Sequence, residues 1–395
     1  MISFDEAVEL VVAIARPVGV EPVALEAAGG RILAAPVTAS CASPATILSA
    51  MDGYAVRECD LTRLPARLPV LGESFAGRRF AGPLPPGACI RIFTGAPLPF
   101  GADRVIIQED VRREGREVVF EQPLTVRRHL RKPGSDFRAG DVLVPAGRLL
   151  NAQRLVASAA ADLARLEVFR RPRLALLATG DELATPGEAG ARPDLIPESV
   201  SFGVAGLAQA WGASVISRRR CGDHLPDLQA AARVAVGEAD VVVVTGGASV
   251  GDKDFAREMF APLGLTLVFS KVAIMPGKPV WIGCAGGAIV VGLPGNPTSA
   301  LVTARLFLAP LLAGLAGRYP REALAWLKMP LHRPLEACLD RETFVRGVLQ
   351  LGGVDVTDDQ DSSAQRALAA SDILIRRRPG DPAAAAGDLV SCLDF

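Results

Sequence analysis

Apolar residues recur at helical spacing near the start of the chain, at Phe4, Val8, Val11 and Ile14. Such spacing places their side chains on one face of an α-helix. Ser3 and Glu6 have the spacing of a capping box, in which two side chains pair with the free N–H groups of the first turn. The sequence therefore predicts a first helix over residues 4–15.

From Gly30 to Gly147 the pattern changes to short apolar runs separated by Gly and Pro. These runs lie at 69–71, 88–93, 104–108, 117–120 and 141–144. Short runs at short intervals predict a small all-β module. Asn151 then has the character of a helix N-cap, and the apolar positions that follow predict a helix to about Leu166.

Beyond Arg173, apolar segments of strand and helix type alternate regularly. The predicted strands are 174–178, 215–217, 240–245 and 266–269, and a hairpin is predicted at 280–283 and 288–291. The predicted helices are 201–211, 223–238 with Asp223 as N-cap, 254–260, and a long helix opened by Asn296 and Pro297. This alternation predicts a mostly parallel sheet covered on both faces. Short strands after Pro320, such as 344–349, predict a C-terminal β domain.

The composition is that of a globular protein of two to four domains, with 395 residues, 50% hydrophobic and 22% charged. Lys plus Arg equals Asp plus Glu at 43 each, so no net field favours nucleic acid or anionic lipid. Seven scattered cysteines without a Cys-x-x-Cys pair and only three histidines argue against a zinc or iron–sulfur site.

Targeting signals are not evident in the sequence. The acidic N-terminus lacks the features of a signal peptide. The longest apolar run found, 280–293, has 14 residues, fewer than the roughly 20 needed to span a bilayer. We therefore expect a soluble, cytoplasmic protein with reduced thiols.

Polar, glycine-containing loops follow three strands of the α/β region, at 179–182, 245–254 and 292–299. Ligands bind at the carboxyl ends of parallel strands, and glycines let backbone N–H groups approach a phosphate. The acids in these loops suggest Mg²⁺, which bridges carboxylate and phosphate oxygens. Each loop alone is compatible with an ordinary turn, but three together predict a site for a phosphorylated ligand with a divalent cation. No Walker or Rossmann glycine motif is present.

Two further residues have open interpretations. Lys278, in Pro276-Gly277-Lys278-Pro279, is equally compatible with a solvated turn and with a point charge that neutralises an oxyanion. Asp223 has a strong alternative as an ordinary N-cap.

Seven segments, taken in order, resemble the molybdopterin molybdenumtransferase family, which includes the E domain of gephyrin. They are Ser-Ala-Met-Asp-Gly-Tyr-Ala at 49–55, Thr-Gly-Ala at 94–96, Gly-Ser-Asp at 134–136, Thr-Gly-Asp-Glu at 179–182, Thr-Gly-Gly-x-Ser-x-Gly-Asp-x-Asp at 245–254, Pro-Gly-Lys-Pro at 276–279 and Leu-Pro-Gly-Asn-Pro-x-Ser-Ala at 293–300. The resemblance covers essentially the whole chain.

The resemblance implies a multidomain α/β plus β fold: a central, mostly parallel α/β molybdopterin-binding domain with a β-rich N-terminal module and a C-terminal β domain. Its four domains would be an elongated N-terminal domain of 1–43 and 140–170, an inserted β module of 44–139, the α/β domain of 171–318 and the C-terminal domain of 319–395. It also implies a homodimer with the active site at the subunit interface. The resemblance implies an enzyme of molybdenum cofactor biosynthesis that takes adenylylated molybdopterin and molybdate, uses Mg²⁺ and releases AMP. A contact with a molybdopterin adenylyltransferase is a further expectation from the family.

By position in the motifs, the resemblance implies catalytic residues Asp52, Thr94 and Asp136 from the β module and Glu182, Asp223, Asp254 and Lys278 from the α/β domain. Glu182 and Asp254 would hold Mg²⁺. The implied substrate-binding residues are Thr179, Gly180, Asp181, Gly246, Gly247, Ser249, Gly251, Pro294, Gly295, Asn296, Pro297, Arg346 and Ser362.

The sequence departs from the family pattern at three places. Met275 stands where the family commonly has a second lysine, Ser199 where it has an asparagine, and Thr46-Ile47-Leu48 where a phenylalanine precedes polar residues. A methionine cannot hold an oxyanion, so Lys271 or an arginine would have to substitute. The departures support an alternative, a molybdopterin or cofactor carrier with reduced catalysis.

Overall fold

The N-terminal helix Phe4–Ile14 has the predicted capping box in the computed structural model, which describes residues 1–246 and 255–395. The N–H of Glu6 donates to Ser3 Oγ at 3.2 Å, and the N–H of Ser3 donates to Glu6 Oε2 at 2.8 Å. The buried ring of Phe4 lies 5.7 Å from that of Phe307 and 5.1 Å from that of Phe344. The first helix therefore packs into the central core.

The chain that follows contributes to two small antiparallel strand pairs. Val20–Ala24 pairs with Arg165–Phe169, and Val37–Thr38 pairs with Val142–Val144. The helix capped by Asn151 is Ala152–Ala160, so the predicted continuation to Leu166 is wrong. Asp162 adopts a left-handed φ of 61°, and beyond it alternate residues enter the core as in a strand.

The β-module prediction is confirmed by a six-stranded sheet in which the runs near 69, 88, 104 and 117 are strands. In spatial order its strands are Arg104–Ile107, Gly53–Val56, Cys89–Ile92, Ala66–Ser74, Glu117–Phe120 and Val111–Glu114. A separate pair, Leu48–Ser49 with Leu130–Arg131, lies beside it. The predicted run at 141–144 does not belong to the six-stranded sheet, because Val142–Val144 pairs with Val37–Thr38.

The central domain is built on a second six-stranded sheet. Its order is Ser214–Cys221, Arg173–Thr179, Val241–Thr245, Ala288–Leu293, Trp281–Ala285 and Thr266–Ser270. The first four strands are parallel. Trp281–Ala285 forms the predicted hairpin with Ala288–Leu293 and is antiparallel to both of its neighbours, so Thr266–Ser270 runs in the same direction as the first four strands. The mostly parallel α/β prediction is therefore confirmed.

Alternate residues of the strand Arg173–Thr179 face two different cores. Leu174 and Leu176 pack with the helices Val200–Ala210 and Phe4–Ile14, whereas Ala175 and Leu177 pack with Leu225–Glu238. Smaller elements of this region are the helix Phe255–Glu258 and the paired strands Leu183–Ala184 and Ile196–Pro197. Short 3₁₀ turns along the chain are Leu25–Ala27, Glu58–Leu61, Gln108–Asp110, Ala189–Ala191, Ala261–Leu263 and Pro320–Leu324.

One long apolar helix begins at Pro297, as predicted, with a π-helical turn in its middle. Its consecutive parts are Pro297–Thr303, Ala304–Leu308 and Ala309–Leu315. By length and composition it could cross a membrane, but 94% of it is buried inside the protein. It is the central core helix of the molecule.

The C-terminal β domain is built on a third six-stranded sheet. Five of its strands are ordered Ile274–Met275, Glu342–Gln350, Ile373–Arg377, Leu389–Asp394 and Leu327–Pro330. The sixth strand, Gly353–Val356, pairs with Glu342–Gln350, and the domain also contains a short helix, Gln365–Ala369. Its first strand belongs in sequence to the central region and runs parallel to Glu342–Gln350. The C-terminal sheet is therefore hydrogen-bonded directly to the turn that carries Lys278.

Candidate functional site

The ends of the central parallel strands meet in one place. Thr179 Oγ1 donates to the carbonyl of Thr245 at 3.3 Å. Gly246 has a φ of +93°, and a Cβ added there would lie 2.4 Å from the Thr179 carbonyl oxygen. A Cβ on Gly295 would lie 3.5 Å from Gly246 Cα. The three glycine-containing loops therefore touch, and the close approach at position 246 excludes any side chain.

A cavity of about 710 Å³ opens at this point. Nine of the predicted site residues line it: Thr179, Gly180, Glu182, Asp223, Gly246, Pro294, Gly295, Asn296 and Pro297. These nine residues come from four separate segments of the chain.

Asp223 is not the N-cap of the helix that follows it. His224 has that position, and its carbonyl accepts the N–H of Leu228 at 3.0 Å. The N–H of Asp223 instead donates to Asp181 Oδ1 at 2.9 Å. Asp181 therefore orders the backbone of Asp223 and leaves the Asp223 carboxylate at the cavity.

The second predicted loop is described only up to Gly246, so Gly247, Ser249, Gly251 and Asp254 lie outside the described residues. In residues 1–246 and 255–395, no group of three His, Cys, Asp or Glu side chains could hold a metal ion.

The C-terminal domain reaches the same cavity through Ser363 and Gln365, whereas the predicted Arg346 and Ser362 are not among the described residues that line it. Arg346 is 1% exposed; it donates to Thr298 Oγ1 at 2.9 Å and to the carbonyls of Asp359 and Asp361 at 2.8 and 3.0 Å. Burial lowers the pKa of Arg346. Asn296 Nδ2 donates to Ser362 Oγ at 3.0 Å. Both residues thus fasten the 359–362 segment to the start of the long helix.

Several lining residues were not predicted as site residues from the sequence. They are Leu183, Ile196, Pro197, Glu198, Val200, Thr245, Pro279, Ser299, Ser363 and Gln365, together with Ser199, which was noted only as a departure from the family pattern. Glu198 is buried and accepts the N–H of Ser201 at 2.8 Å and its hydroxyl at 2.6 Å. A capping box has the order Ser-x-x-Glu, whereas Glu198 precedes Ser201, so this contact is not signalled by that pattern.

Lys278 lies on an exposed turn beside the cavity-lining Pro279. The Lys278 carbonyl accepts the N–H of Val272 at 3.0 Å. Gly277, with a φ of +102°, packs so closely that a Cβ would lie 2.2 Å from Thr303 Cγ2. The turn is therefore held against the long core helix whose first residues line the cavity.

The predicted residues of the β module form a second group along the 43–52 segment. Asp52 Oδ1 accepts the N–H of Thr94 at 2.7 Å and its hydroxyl at 2.8 Å. The hydrogen bond from the Thr94 backbone, and then that from its side chain, lower the pKa of Asp52. Asp136 is exposed, and its N–H donates to the Ser43 carbonyl at 3.0 Å. None of the three is among the described residues that line the cavity.

Three family models match consecutive parts of the chain. The MoeA N-terminal region (domain I and II) matches residues 2–161, a probable molybdopterin binding domain matches 175–314, and the MoeA C-terminal region (domain IV) matches 328–395. The chain is 36% identical over 338 residues to a molybdopterin molybdenumtransferase of Nostoc sp., covering 84% of this chain and 77% of the relative.

The chain belongs to the molybdopterin molybdenumtransferase family.

The enzyme of the same name from Synechococcus elongatus is 32% identical over 376 residues, 92% of either chain. The prediction of an enzyme of this family is therefore confirmed. Two crystal structures of the molybdopterin biosynthesis MoeA protein of Pyrococcus horikoshii match almost the whole of both chains. The first has a TM-score of 0.84 at 29% identity and covers 99% of this chain and 98% of its own. The second has a TM-score of 0.85 at 25% identity and covers 100% of each chain. The predicted fold class of the family is confirmed as well.

Proposed function

We propose that this enzyme inserts molybdate into adenylylated molybdopterin and releases AMP in a Mg²⁺-dependent step of molybdenum cofactor biosynthesis. The observation that carries the proposal is the convergence of strand-end loops on one cavity whose wall includes Glu182 and Asp223. A cytoplasmic homodimer that receives its substrate from a molybdopterin adenylyltransferase is part of the same proposal.

The cavity suits an anionic, phosphorylated ligand. Asn296, Pro297 and Ser299 line it at the N-terminal end of the long helix, where free backbone N–H groups and the helix dipole favour negative charge. Cleavage of a phosphoanhydride places further negative charge on phosphate oxygens, which fixed donors stabilise in a site that excludes water.

The acidic residues fit Mg²⁺ that binds together with the substrate. Mg²⁺ is usually held by one or two carboxylates plus phosphate oxygens and water, and Glu182 and Asp223 supply carboxylates at the cavity. We propose that Glu182, with Asp254, holds the ion. When bound, Mg²⁺ would supply positive charge to the phosphate oxygens; the backbone N–H groups of the chain would orient the ligand.

The remaining part of the site is proposed to come from a second copy of the chain. Asp52, Thr94 and Asp136 do not line the cavity of their own chain among the described residues, although Asp52 and Thr94 are already ordered by their mutual hydrogen bonds. In a symmetric dimer, each β module would complete the cavity of its partner.

AMP release from adenylylated molybdopterin tests the proposal. Wild-type protein should release AMP only with both Mg²⁺ and molybdate, and Glu182→Ala should reduce the rate by about 100-fold or more. Glu117→Ala, which removes an exposed carboxylate from a β-module hairpin, is the matched control and should retain the wild-type rate. Binding of the nucleotide without molybdate-stimulated release would reject the proposal and favour the carrier alternative, which Met275 and Ser199 support.

A further inference from the structure

One carboxylate in the cavity wall is buried without a cation beside it. Glu198 lines the cavity and is 8% exposed. No lysine, arginine or histidine lines the cavity with it in the described part of the chain. A buried carboxylate is costly unless hydrogen bonds hold it, so the groups that surround Glu198 indicate what it is there to do.

Glu198 is fixed in position by its own backbone and by Ser201. The N–H of Glu198 donates to the carbonyl of Ala184 at 2.8 Å. Glu198 Oε1 accepts the N–H of Ser201 at 2.8 Å, and Oε2 accepts the Ser201 hydroxyl at 2.6 Å. These contacts lie at the start of the helix Val200–Ala210, where the helix dipole favours negative charge. A carboxylate offers about four acceptor positions, so each oxygen of Glu198 can accept one more donor.

Two ordinary roles leave part of this carboxylate unexplained. Within residues 1–246 and 255–395, no group of three His, Cys, Asp or Glu side chains could hold a metal ion, so Glu198 does not complete a metal site with Glu182 and Asp223. Glu198 does serve the start of the helix, since the N-cap Ser199 makes no side-chain cap hydrogen bond. That role uses one acceptor position of one oxygen, and the free positions remain on a side chain that lines the cavity.

The surroundings of Glu198 suit a flat, uncharged ring. Ile196, Pro197 and Val200, its neighbours in the sequence, also line the cavity. An adjoining groove of about 600 Å³ shares four lining residues with the cavity: Ser199, Val200, Pro297 and Gln365. A phosphate would be repelled by Glu198, whereas a heterocycle with N–H donors could pack on the apolar side chains and donate to the carboxylate.

We propose that Glu198 binds the 2-amino-4-oxo edge of the pterin ring and thereby selects a pterin in this part of the cavity. This inference rests on the proposed function, because it assigns a specificity-determining residue for that substrate. The pterin edge presents two neighbouring donors, the N3–H and the 2-amino group, which can meet the two oxygens of one carboxylate. Adenine, the other flat ring of the substrate, presents its amino group beside the unprotonated N1, whose lone pair would face a carboxylate oxygen.

Binding of two fluorescent probes, 6-hydroxymethylpterin and 6-hydroxymethyllumazine, tests the contact independently of turnover. Lumazine has a carbonyl oxygen in place of the 2-amino group, so wild type should bind the pterin roughly tenfold or more tightly than the lumazine. Glu198→Gln should reverse this preference, because its amide presents one acceptor and one donor, which match the N3–H and the 2-oxo group of lumazine. The same variant should raise KM for adenylylated molybdopterin roughly tenfold and leave KM for molybdate unchanged.

Two further variants separate recognition from a structural role. Ser201→Ala keeps the carboxylate but removes one of its two hydrogen bonds from Ser201, so the preference for the pterin should shrink without reversing. Glu238→Gln is the matched control, since it changes an exposed glutamate at the end of the helix Leu225–Glu238 and should bind both probes as wild type does.

The preference between the probes decides the inference. Equal binding of the two probes by wild type, binding of neither, or the same preference in wild type and Glu198→Gln would overturn it. Weaker binding of both probes alike in Glu198→Gln would leave Glu198 with its structural role only and would also overturn it. A reversed preference without molybdate-dependent AMP release would uphold the pterin contact and reject the proposed reaction.

Discussion

Two regions of the molecule carry the predicted chemistry, and they are organised in different ways. In the α/β domain, loops far apart in sequence meet because parallel strands end at one edge of a sheet, and a cavity of about 710 Å³ results. In the β module, Asp52 and Thr94 are held by short hydrogen bonds to each other and lie outside that cavity. The α/β domain thus forms a cavity, whereas the β module presents ordered polar groups on a surface.

The local order of the β-module group comes from one segment of backbone. Ser49 accepts the N–H of Gly95 at 2.9 Å and donates its own N–H to the carbonyl of Ala96 at 2.9 Å. Further back, the carbonyl of Ser43 accepts the N–H of Asp136 at 3.0 Å. Residues 42 to 93 positions later in the sequence thus lie along the 43–52 segment. We propose that this ordered surface meets the cavity of a second copy of the chain.

Mixing two inactive variants should produce the largest effect. Asp52→Asn and Glu182→Ala homodimers should each be nearly inactive. When the two variants are co-refolded in equal amounts, half of the dimers should be mixed, and each mixed dimer should contain one intact site of two. About a quarter of the wild-type rate of AMP release should therefore return.

The same mixture made without subunit exchange is the control and should remain inactive. If Asp52 and Glu182 act within one chain, no activity will return after exchange, and the two regions would then have to approach each other by a rearrangement of the monomer.

Two glycine substitutions test how closely the strand-end loops of the cavity approach each other. Gly246→Ala should lower stability by about 2 kcal/mol or more, because φ is +93° and the new Cβ would meet the Thr179 carbonyl oxygen at 2.4 Å. Gly295→Ala, whose Cβ would make an ordinary 3.5 Å contact, should cost less than about 1 kcal/mol. Denaturant unfolding measures the stability of both variants, and pterin binding reports on the cavity. Equal losses of stability in Gly246→Ala and Gly295→Ala would contradict the close approach of these loops.

Local sequence signals predicted the elements that depend on local contacts. The capping box of Ser3 and Glu6, the Asn151 cap and the start of the helix at Pro297 all follow from residues within one turn. The end of the helix after Ala160 does not follow from residues within one turn. The strand Arg165–Phe169 is fixed by pairing with Val20–Ala24, about 140 positions earlier, and a helix-compatible spacing of leucines gives no sign of that partner.

The candidate site also contains some residues that local sequence signals predict and others that depend on distant contacts. The strand-end loops were predictable because glycine and acid residues follow recognisable strands. Ser363 and Gln365 were not, because they reach the cavity only after Arg346 fastens their segment to Thr298.

The smallest expected effect concerns the order of the β-module surface. Hydrogen bonds from the backbone N–H and the hydroxyl of Thr94 lower the pKa of Asp52. Thr94→Val removes only the hydroxyl, so the pKa of Asp52 should rise part of the way toward its ordinary value, whereas Thr94→Ser should leave it nearly unchanged. Carboxyl ¹³C NMR titration measures both.

The sign of the pH dependence follows from the lowered pKa. The Asp52–Thr94 interaction stabilises the fold fully at pH values above the ordinary aspartate pKa of about 3.9, and this contribution is lost as the pH falls through the lower folded-state value. Thr94→Val should therefore lose its Asp52-linked stability at a higher pH than wild type, still on the acid side of neutrality. If the pKa of Asp52 is the same in wild type and Thr94→Val, the hydroxyl does not order this carboxylate, and the contrast between a preformed surface and a preformed cavity would then depend on the backbone N–H of Thr94 alone.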